Sequence, residues 1–188
     1  MDKIIKIFKK SGALLNGHFR LTSGLHSPSY FQCALVLQYP EYCQLLAGRI
    51  ARHFQPEKVD VVISPAIGGI VVGQEVGRQL NVRTIFAERK GSLMRLRRGF
   101  CLKEEERVLV CEDVITTGGS VREVINLVRE QGAKVAGVGF IVDRSNEQID
   151  FGANQFAVVR LEAETYIPDN CPLCKKGIPL DKPGSRSV

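Results

Sequence analysis

VLVCEDVITTGGS, residues 108–120, decides how the rest of the chain is read. Residues 108–111 form a continuous apolar run suited to a central parallel strand, and Val121, Val124, Ile125 and Val128 follow at helical spacing. The segment between them therefore lies at the carboxyl end of a strand and opens a helix. Unpaired amides and the positive helix end favour an anion there, and glycines let the backbone approach it closely. Thr116, Thr117 and Ser120 add hydroxyl donors, whereas Glu112 and Asp113 place negative charge where a phosphate would be repelled. These acids must face something else, either sugar hydroxyls or a divalent cation between anionic groups. Neither the Gly-Lys-Ser/Thr of a Walker loop nor a spaced G-x-G-x-x-G is present.

Outward from this segment, helical patterns at 40–54, 70–80 and 120–131 alternate with strand-like runs at 59–64, 82–87, 107–111 and 134–142. That order predicts an α/β fold with a parallel, doubly wound sheet. Ligands in such sheets collect outside the carboxyl ends of the strands. SPAIGGI, residues 64–70, is a second loop at such an end, with paired glycines and a hydroxyl. Taken alone, it could equally be a tight turn between strand and helix. The 188 residues suit one domain, with a core over about 40–150. Residues 12–34 carry turn signals and are expected to form a small hood, made of about 1–35 with part of 155–188.

The formal charge of +6 is concentrated. Arg89, Lys90, Arg95, Arg97 and Arg98 fall between Glu88 and Glu104 with no acid among them, and Gly91 and Gly99 bracket most of the group. A long mobile loop or hairpin carrying five cations suits pyrophosphate better than a broad nucleic-acid face; a solvated basic loop is the plain alternative. No apolar stretch is long enough for a membrane span. Lysines interrupt the N-terminal apolar residues, so no signal peptide is read there. Ile4, Ile5, Ile7 and Phe8 lie on one face of a short amphipathic helix, and a cytoplasmic protein is expected.

Strand, two acids, Thr-Thr-Gly-Gly-Ser and helix together resemble the 5-phosphoribosyl-1-pyrophosphate (PRPP) signature of the type I phosphoribosyltransferase family. The resemblance implies that family's fold. It also implies PRPP binding by Arg89, Lys90, Glu112, Asp113, Val114, Ile115, Thr116, Thr117, Gly118, Gly119 and Ser120. Beside the signature, Ser64, Pro65, Ala66, Ile67, Gly68 and Gly69 resemble the family's pyrophosphate loop. Four further stretches resemble the orotate-using branch: GHFRLTSGLHSPSYFQC (17–33), FAERKGSLMRLRRG (86–99), VGFIVDRSN (138–146) and CPLCKKGIPLDKPGSR (171–186). In that branch the residue matching Arg144 binds the orotate carboxylate and the one matching Thr116 contacts the pyrimidine. A planar guanidinium suits a carboxylate bidentately, which favours an acidic pyrimidine over a neutral purine.

The implied reaction transfers the phosphoribosyl group of PRPP to N1 of orotate, in UMP biosynthesis. Lys90, Arg95, Glu112 and Asp113 are the catalytic candidates, with Mg²⁺ held mainly through PRPP. A homodimer with shared active sites is implied, and neither nucleic acid nor membrane is an expected partner. The alternatives are a type I enzyme for another base and a non-catalytic PRPP-sensing regulator. Against the better-known loop pattern, Leu93 occupies the place of a lysine and Arg95 stands near that of a histidine, with Arg97 or Arg98 as substitutes. Thr22 and Gly68 also replace lysines of some relatives.

Cys33, Cys43, Cys101 and Cys111 are scattered and read as buried apolar residues or free thiols. Cys171 and Cys174 form a CxxC that supplies two of the four ligands of a structural zinc site; a redox pair and a simple turn are the other readings. His18, His26 and His53 are isolated in sequence and read as surface or turn residues.

Overall fold

A computed structural model describes residues 2–183 except 22, 92, 146, 162 and 163, so Thr22 and the last residues of the tail motif lie outside the described residues. In chain order the elements are α1 (Asp2–Lys10), β1 (Leu14–Arg20), β2 (His26–Phe31), α2 (Ala34–Leu37), α3 (Pro40–Phe54), β3 (Val61–Pro65), α4 (Gly68–Leu80), β4 (Arg83–Lys90), β5 (Leu93–Leu96), β6 (Arg107–Ile115), α5 (Gly119–Glu130), β7 (Lys134–Asp143), β8 (Gln155–Arg160) and α6 (Pro172–Lys175). They divide into two compact units, one of residues 1–36 with 162–188, the other of residues 37–161.

The larger unit is built on a six-stranded sheet in the order β5-β4-β3-β6-β7-β8. All neighbours are parallel except the β4–β5 pair, so the sheet is mostly parallel. The central strands are apolar on both sides, as a sheet covered on both faces requires. Val61, Ile63, Val108 and Val110 pack with Val121, Val124, Ile125 and Val128 of α5. On the opposite face α3 and α4 pack together, α4 covering β3, β4 and β6 and α3 reaching β7 and β8. The chain leaves β3 towards β4 on one side and later returns to β6 on the other. A switch point therefore lies between β3 and β6, where two successive connections part and leave a crevice.

Helix α4 lies unusually close to the sheet, and its sequence explains why. Gly69, Gly73 and Gly77 recur every fourth residue on the face turned to the strands. A Cβ at Gly73 would sit 2.1 Å from Ser64 Oγ, and one at Gly77 would sit 2.0 Å from Thr84 Oγ1. No other residue allows that approach.

Three boundaries differ from the sequence reading for one shared reason. β6 runs to Ile115 instead of ending at Cys111, because its parallel pairing with β7 continues through Glu112↔Phe140 to Ile115↔Asp143. β4 extends to Lys90 through antiparallel pairing with β5, so the basic segment is a short hairpin rather than a long loop. α4 begins at Gly68, two residues before its first apolar position. Backbone pairing carries each element past the point where hydrophobic patterning stops.

The smaller unit holds α1 and the antiparallel pair β1–β2, with Ile4, Ile7, Phe8, Phe19 and Phe31 buried. Phe8 and Phe31 meet edge to face at 4.7 Å. The C-terminal segment adds to the same unit: Arg20 N–H donates to Asp181 O, Asp181 N–H to His18 O, and Tyr166 and His26 exchange backbone bonds. His18 and His26, read from sequence as surface or turn residues, are buried at 2 % and 6 % exposure. Cys33, Cys43, Cys111 and Cys171 are buried and Cys101 and Cys174 exposed; none forms a disulfide. No helix among the described residues is long and apolar enough to cross a membrane.

Candidate active site

β3 and β6 are neighbours and point the same way, so the loops that follow them open side by side at the switch point. After β3, Ala66 and Ile67 lead into α4; the Ala66–Ile67 peptide is cis, and Ile67 is largely exposed. Ala66 N–H donates to Ala87 O at 2.8 Å, which ties this loop to β4. After β6, Thr116 and Thr117 are exposed, and Gly118 turns the chain into α5 at φ +71°. Arg122 N–H is the first to close on that turn, reaching Gly118 O at 2.9 Å. The amides ahead of it lie at the positive end of the helix, where an anion is best held.

Glu112 and Asp113 sit in strand β6 rather than in the loop, and strand alternation sends them to different surroundings. Glu112 is buried and Asp113 half-buried. Asp113 N–H donates to Glu112 Oε1 at 3.1 Å, and Val114 N–H to Asp113 Oδ1 at 2.8 Å, so both carboxylates are oriented by backbone. They lie directly against the glycines of the first loop. A Cβ on Gly68 would be 2.4 Å from Asp113 Oδ2, and one on Gly69 would be 2.8 Å from Glu112 Oε1. The absence of side chains at 68 and 69 is therefore what lets an acid pair and an amide-rich loop share one crevice. Two adjacent carboxylates beside an amide-rich loop suit hydroxyl donors or Mg²⁺, a cation usually bound by one or two carboxylates together with phosphates.

Arg144 follows β7 and is tied by its backbone to the end of β6. It is 8 % exposed, and its N–H donates to Ile115 O at 2.9 Å. That bond fixes the residue after Asp143 beside the start of the Thr116–Ser120 turn. Asp143 is occupied elsewhere, accepting from Ser145 N–H at 2.9 Å and Ser145 Oγ at 2.5 Å.

The basic hairpin is anchored by Glu88, which the sequence reading treated only as its border, and by Glu123, which it did not single out. Glu88 accepts from Arg98 Nε and NH2, both at 2.8 Å, and lies 4.0 Å from Arg97. Arg98 also lies over the Phe86 ring at 5.8 Å. Arg89 pairs with Glu123 of α5 at 2.8 Å. Among the described residues Lys90 and Arg95 make no ion pair to a carboxylate. Arg95 is thus the better placed of the three candidate arginines to meet an incoming anion, since Arg97 and Arg98 both face Glu88. Leu93, at the place of the expected lysine, is 55 % exposed.

Of the residues singled out in sequence, Ser64–Gly69, Glu112–Ser120 and Arg144 converge around the carboxyl ends of β3, β6 and β7. Val114 and Ile115 are strand residues, and Ile115 is buried, so only backbone of Ile115 could face a ligand. Missed in sequence were Gly73 and Gly77, Glu88 and Phe151, whose ring carbon would meet a Cβ on Gly118 at 2.8 Å. The four-residue glycine spacing was a visible signal; the others depend on distant partners.

Comparisons with known proteins give the family. The family described as phosphoribosyl transferase domain matches residues 36–160. The orotate phosphoribosyltransferase of Chlorobaculum parvum is 61 % identical over 186 residues, covering 99 % of this chain and 96 % of that one. That of Pelotomaculum thermopropionicum is 57 % identical over 187 residues, covering 100 % and 98 %. The crystal structure of orotate phosphoribosyltransferase from Aeropyrum pernix superposes with a TM-score of 0.74 at 26 % identity, covering 84 % of this chain and 93 % of that one.

Proposed function

From the premise that the chain belongs to the phosphoribosyl transferase family, we propose that it transfers the 5-phosphoribosyl group of PRPP to N1 of orotate. The products are orotidine 5′-monophosphate and pyrophosphate, a step in making UMP. The observation that carries this reading is the place of Arg144, bonded through its backbone to the last residue of β6 and so beside the turn that would hold the 5′-phosphate.

The groups then divide the work. The amides and hydroxyls of Thr116–Ser120 bind the 5′-phosphate at the start of α5. Glu112 and Asp113 accept from the ribose hydroxyls, and their charge favours the cationic ring that develops as the anomeric bond breaks. The amides around Gly68 and Gly69 hold the pyrophosphate. Arg144 grips the orotate carboxylate and Thr116 the ring, which points N1 at the anomeric carbon. Orotate supplies its own nucleophile, so no side chain need form a covalent bond. Lys90 and Arg95, with Arg89, neutralise the departing pyrophosphate and exclude water that would otherwise capture the sugar.

Glu112 and Asp113 offer the oxygen donors that Mg²⁺ accepts, and PRPP would complete its shell. The ion, when bound, neutralises charge on the leaving pyrophosphate. The chain works as a cytoplasmic homodimer in which each basic hairpin serves the neighbouring site; the exposed hairpin charges at Lys90 and Arg95 favour that arrangement.

The test is an ultraviolet assay of orotate consumption with PRPP and Mg²⁺, run beside uracil, adenine and hypoxanthine. Loss of orotate alone is expected. Turnover of another base would reassign the substrate, and PRPP binding without turnover of any base would make the protein a regulator.

A further inference from the structure

The smaller unit contains a group of side chains that the transfer reaction does not use. His18, His26, Cys171 and Cys174 bring one ligand atom each to within 4.8 Å of one another, the only such group of three or more among the described residues. The two histidines come from one end of the molecule's sequence and the two cysteines from the other.

Local structure explains the convergence. His26 pairs with Arg20 across the β1–β2 hairpin, so His18, two residues before Arg20, shares its face. A bulge between Asn16 and Phe19 inserts one extra residue into β1 just where His18 must be aimed. Cys171 and Cys174 flank a single turn at α6, with Lys175 N–H donating to Cys171 O and Gly177 N–H to Cys174 O. Gly177, at φ +67°, ends that turn.

The distances are those of a coordination shell. His18 Nε2 lies 3.5 Å from Cys171 Sγ and 3.7 Å from Cys174 Sγ, and His26 Nδ1 lies 3.3 Å from Cys174 Sγ. The two imidazole nitrogens are 2.9 Å apart. Zinc bonds of ordinary length at tetrahedral angles place nitrogen and sulfur ligands about 3.6 Å apart and two nitrogens about 3.3 Å apart. His18 Nδ1 lies 2.8 Å from Ile178 O, and a carbonyl only accepts, so Nδ1 carries the proton and Nε2 presents a lone pair. One lone pair cannot serve His26 and both thiols together, whereas a cation at their centre satisfies all four. The Ile178 carbonyl then acts as the outer partner that fixes the ring's tautomer and direction.

We propose that His18, His26, Cys171 and Cys174 form a structural zinc site that clips the C-terminal segment to the β1–β2 hairpin. Two thiolates and two imidazoles are a zinc donor set, and four protein ligands close the shell against substrate. His18, His26 and Cys171 are buried, while Cys174 stands at the rim, where an ion can enter. The backbone bonds from Asp181 and Tyr166 to the same hairpin lie on either side of the cluster, so the ion completes an attachment already begun.

The full chain, purified without chelator from zinc-supplemented medium, is assayed for bound metal by mass spectrometry. One zinc per chain is expected, falling towards none in Cys174→Ser and unchanged in Cys101→Ser, whose thiol lies outside the cluster. Cobalt(II) exchanged into the site gives the absorption of a tetrahedral thiolate complex in the wild type and not in Cys174→Ser. A chelator lowers the wild-type melting temperature to that of Cys174→Ser. Cys174 is exposed, so its replacement leaves the buried part of the unit in place, and His26→Ala provides an independent variant. Substoichiometric metal with no cobalt spectrum under reducing conditions would overturn the proposal, as would equal zinc in the wild type and Cys174→Ser.

Discussion

Arg144 N–H and the Ile115 carbonyl are joined at 2.9 Å, which locks the candidate carboxylate-binding residue of β7 to the strand end that starts the phosphate turn. Backbone therefore holds residue 144 beside that turn whatever its side chain. Arg144→Ala keeps that bond and removes the charged contact. Hydrogen bonds to charged groups contribute about 1.5–3 kcal/mol, so the KM for orotate rises roughly 10- to 150-fold while that for PRPP changes little. Steady-state kinetics with each substrate varied decides it; an equal effect on both would place Arg144 in support of the fold.

Gly68→Ala sets a methyl group 2.4 Å from Asp113 Oδ2 and 2.8 Å from its Cγ. Alanine suits a helix start at least as well as glycine, so the melting temperature holds or rises slightly. The Asp113 carboxylate must turn away, and kcat/KM for PRPP falls by about 10²-fold or more, as expected when a pre-aligned charged group is lost. Thermal melting alongside kinetics separates the two effects, and full activity in this variant would show that Asp113 is not needed where it stands.

Gly118→Ala has the opposite signature. At φ +71° a side chain is strained, and its Cβ would meet Phe151 Cζ at 2.8 Å. Left-handed backbone at a non-glycine residue costs about 1–3 kcal/mol, so stability drops together with phosphate affinity. Chemical denaturation with and without PRPP measures both; unchanged stability would contradict the packing described.

Glu88 provides a pH test. The hydrogen bond from Arg98 holds its carboxyl below the ordinary glutamate value, with the Arg98 and Arg97 charges adding and burial opposing. A depressed folded pKa means the clamp is complete above the unfolded-state pKa and is lost as the pH falls through the lower folded value. A carbon-13 NMR titration of Glu88 should therefore show a midpoint below that of an ordinary glutamate, moving up in Arg98→Ala. A midpoint at or above the ordinary value would remove the clamp.

Thiol reactivity distinguishes the scattered cysteines. Burial, then the charge of Glu75, pushes Cys43 up to about 11, and burial followed by Glu112 raises Cys111 still further. Thiolate is the reactive form, so at near-neutral pH iodoacetamide should label exposed Cys101 and spare Cys43 and Cys111 until the protein unfolds. Peptide mapping after brief labelling tests this; early modification of Cys111 would mean that β6 opens readily.

Much of this was legible in the chain. Val61–Ile63 and Val108–Cys111 are buried on both sides, so a plain apolar run was enough to place the two strands that flank the switch point. Reading stopped early at Glu112 because side-chain polarity ends there while backbone pairing with β7 does not. Arg95 and Leu93 could not be assigned to strand or loop, since β5 exists only through its pairing with β4. The His–Cys group was legible only in part: the CxxC offered two of four zinc ligands, and only the fold of the smaller unit brings residues 18 and 26 to residues 171 and 174.

The hairpin that carries Lys90 and Arg95 is also one border of the six-stranded sheet. A border strand offers unpaired backbone to any passing chain, and short length with outward positive charge is how proteins discourage such strangers. β5 has four residues, with Arg95 exposed among them and Arg97 and Arg98 close behind. The cations proposed to meet a leaving group therefore also guard the molecule against joining itself edge to edge, so the charge of this arm is constrained by colloidal behaviour apart from any part in the proposed transfer.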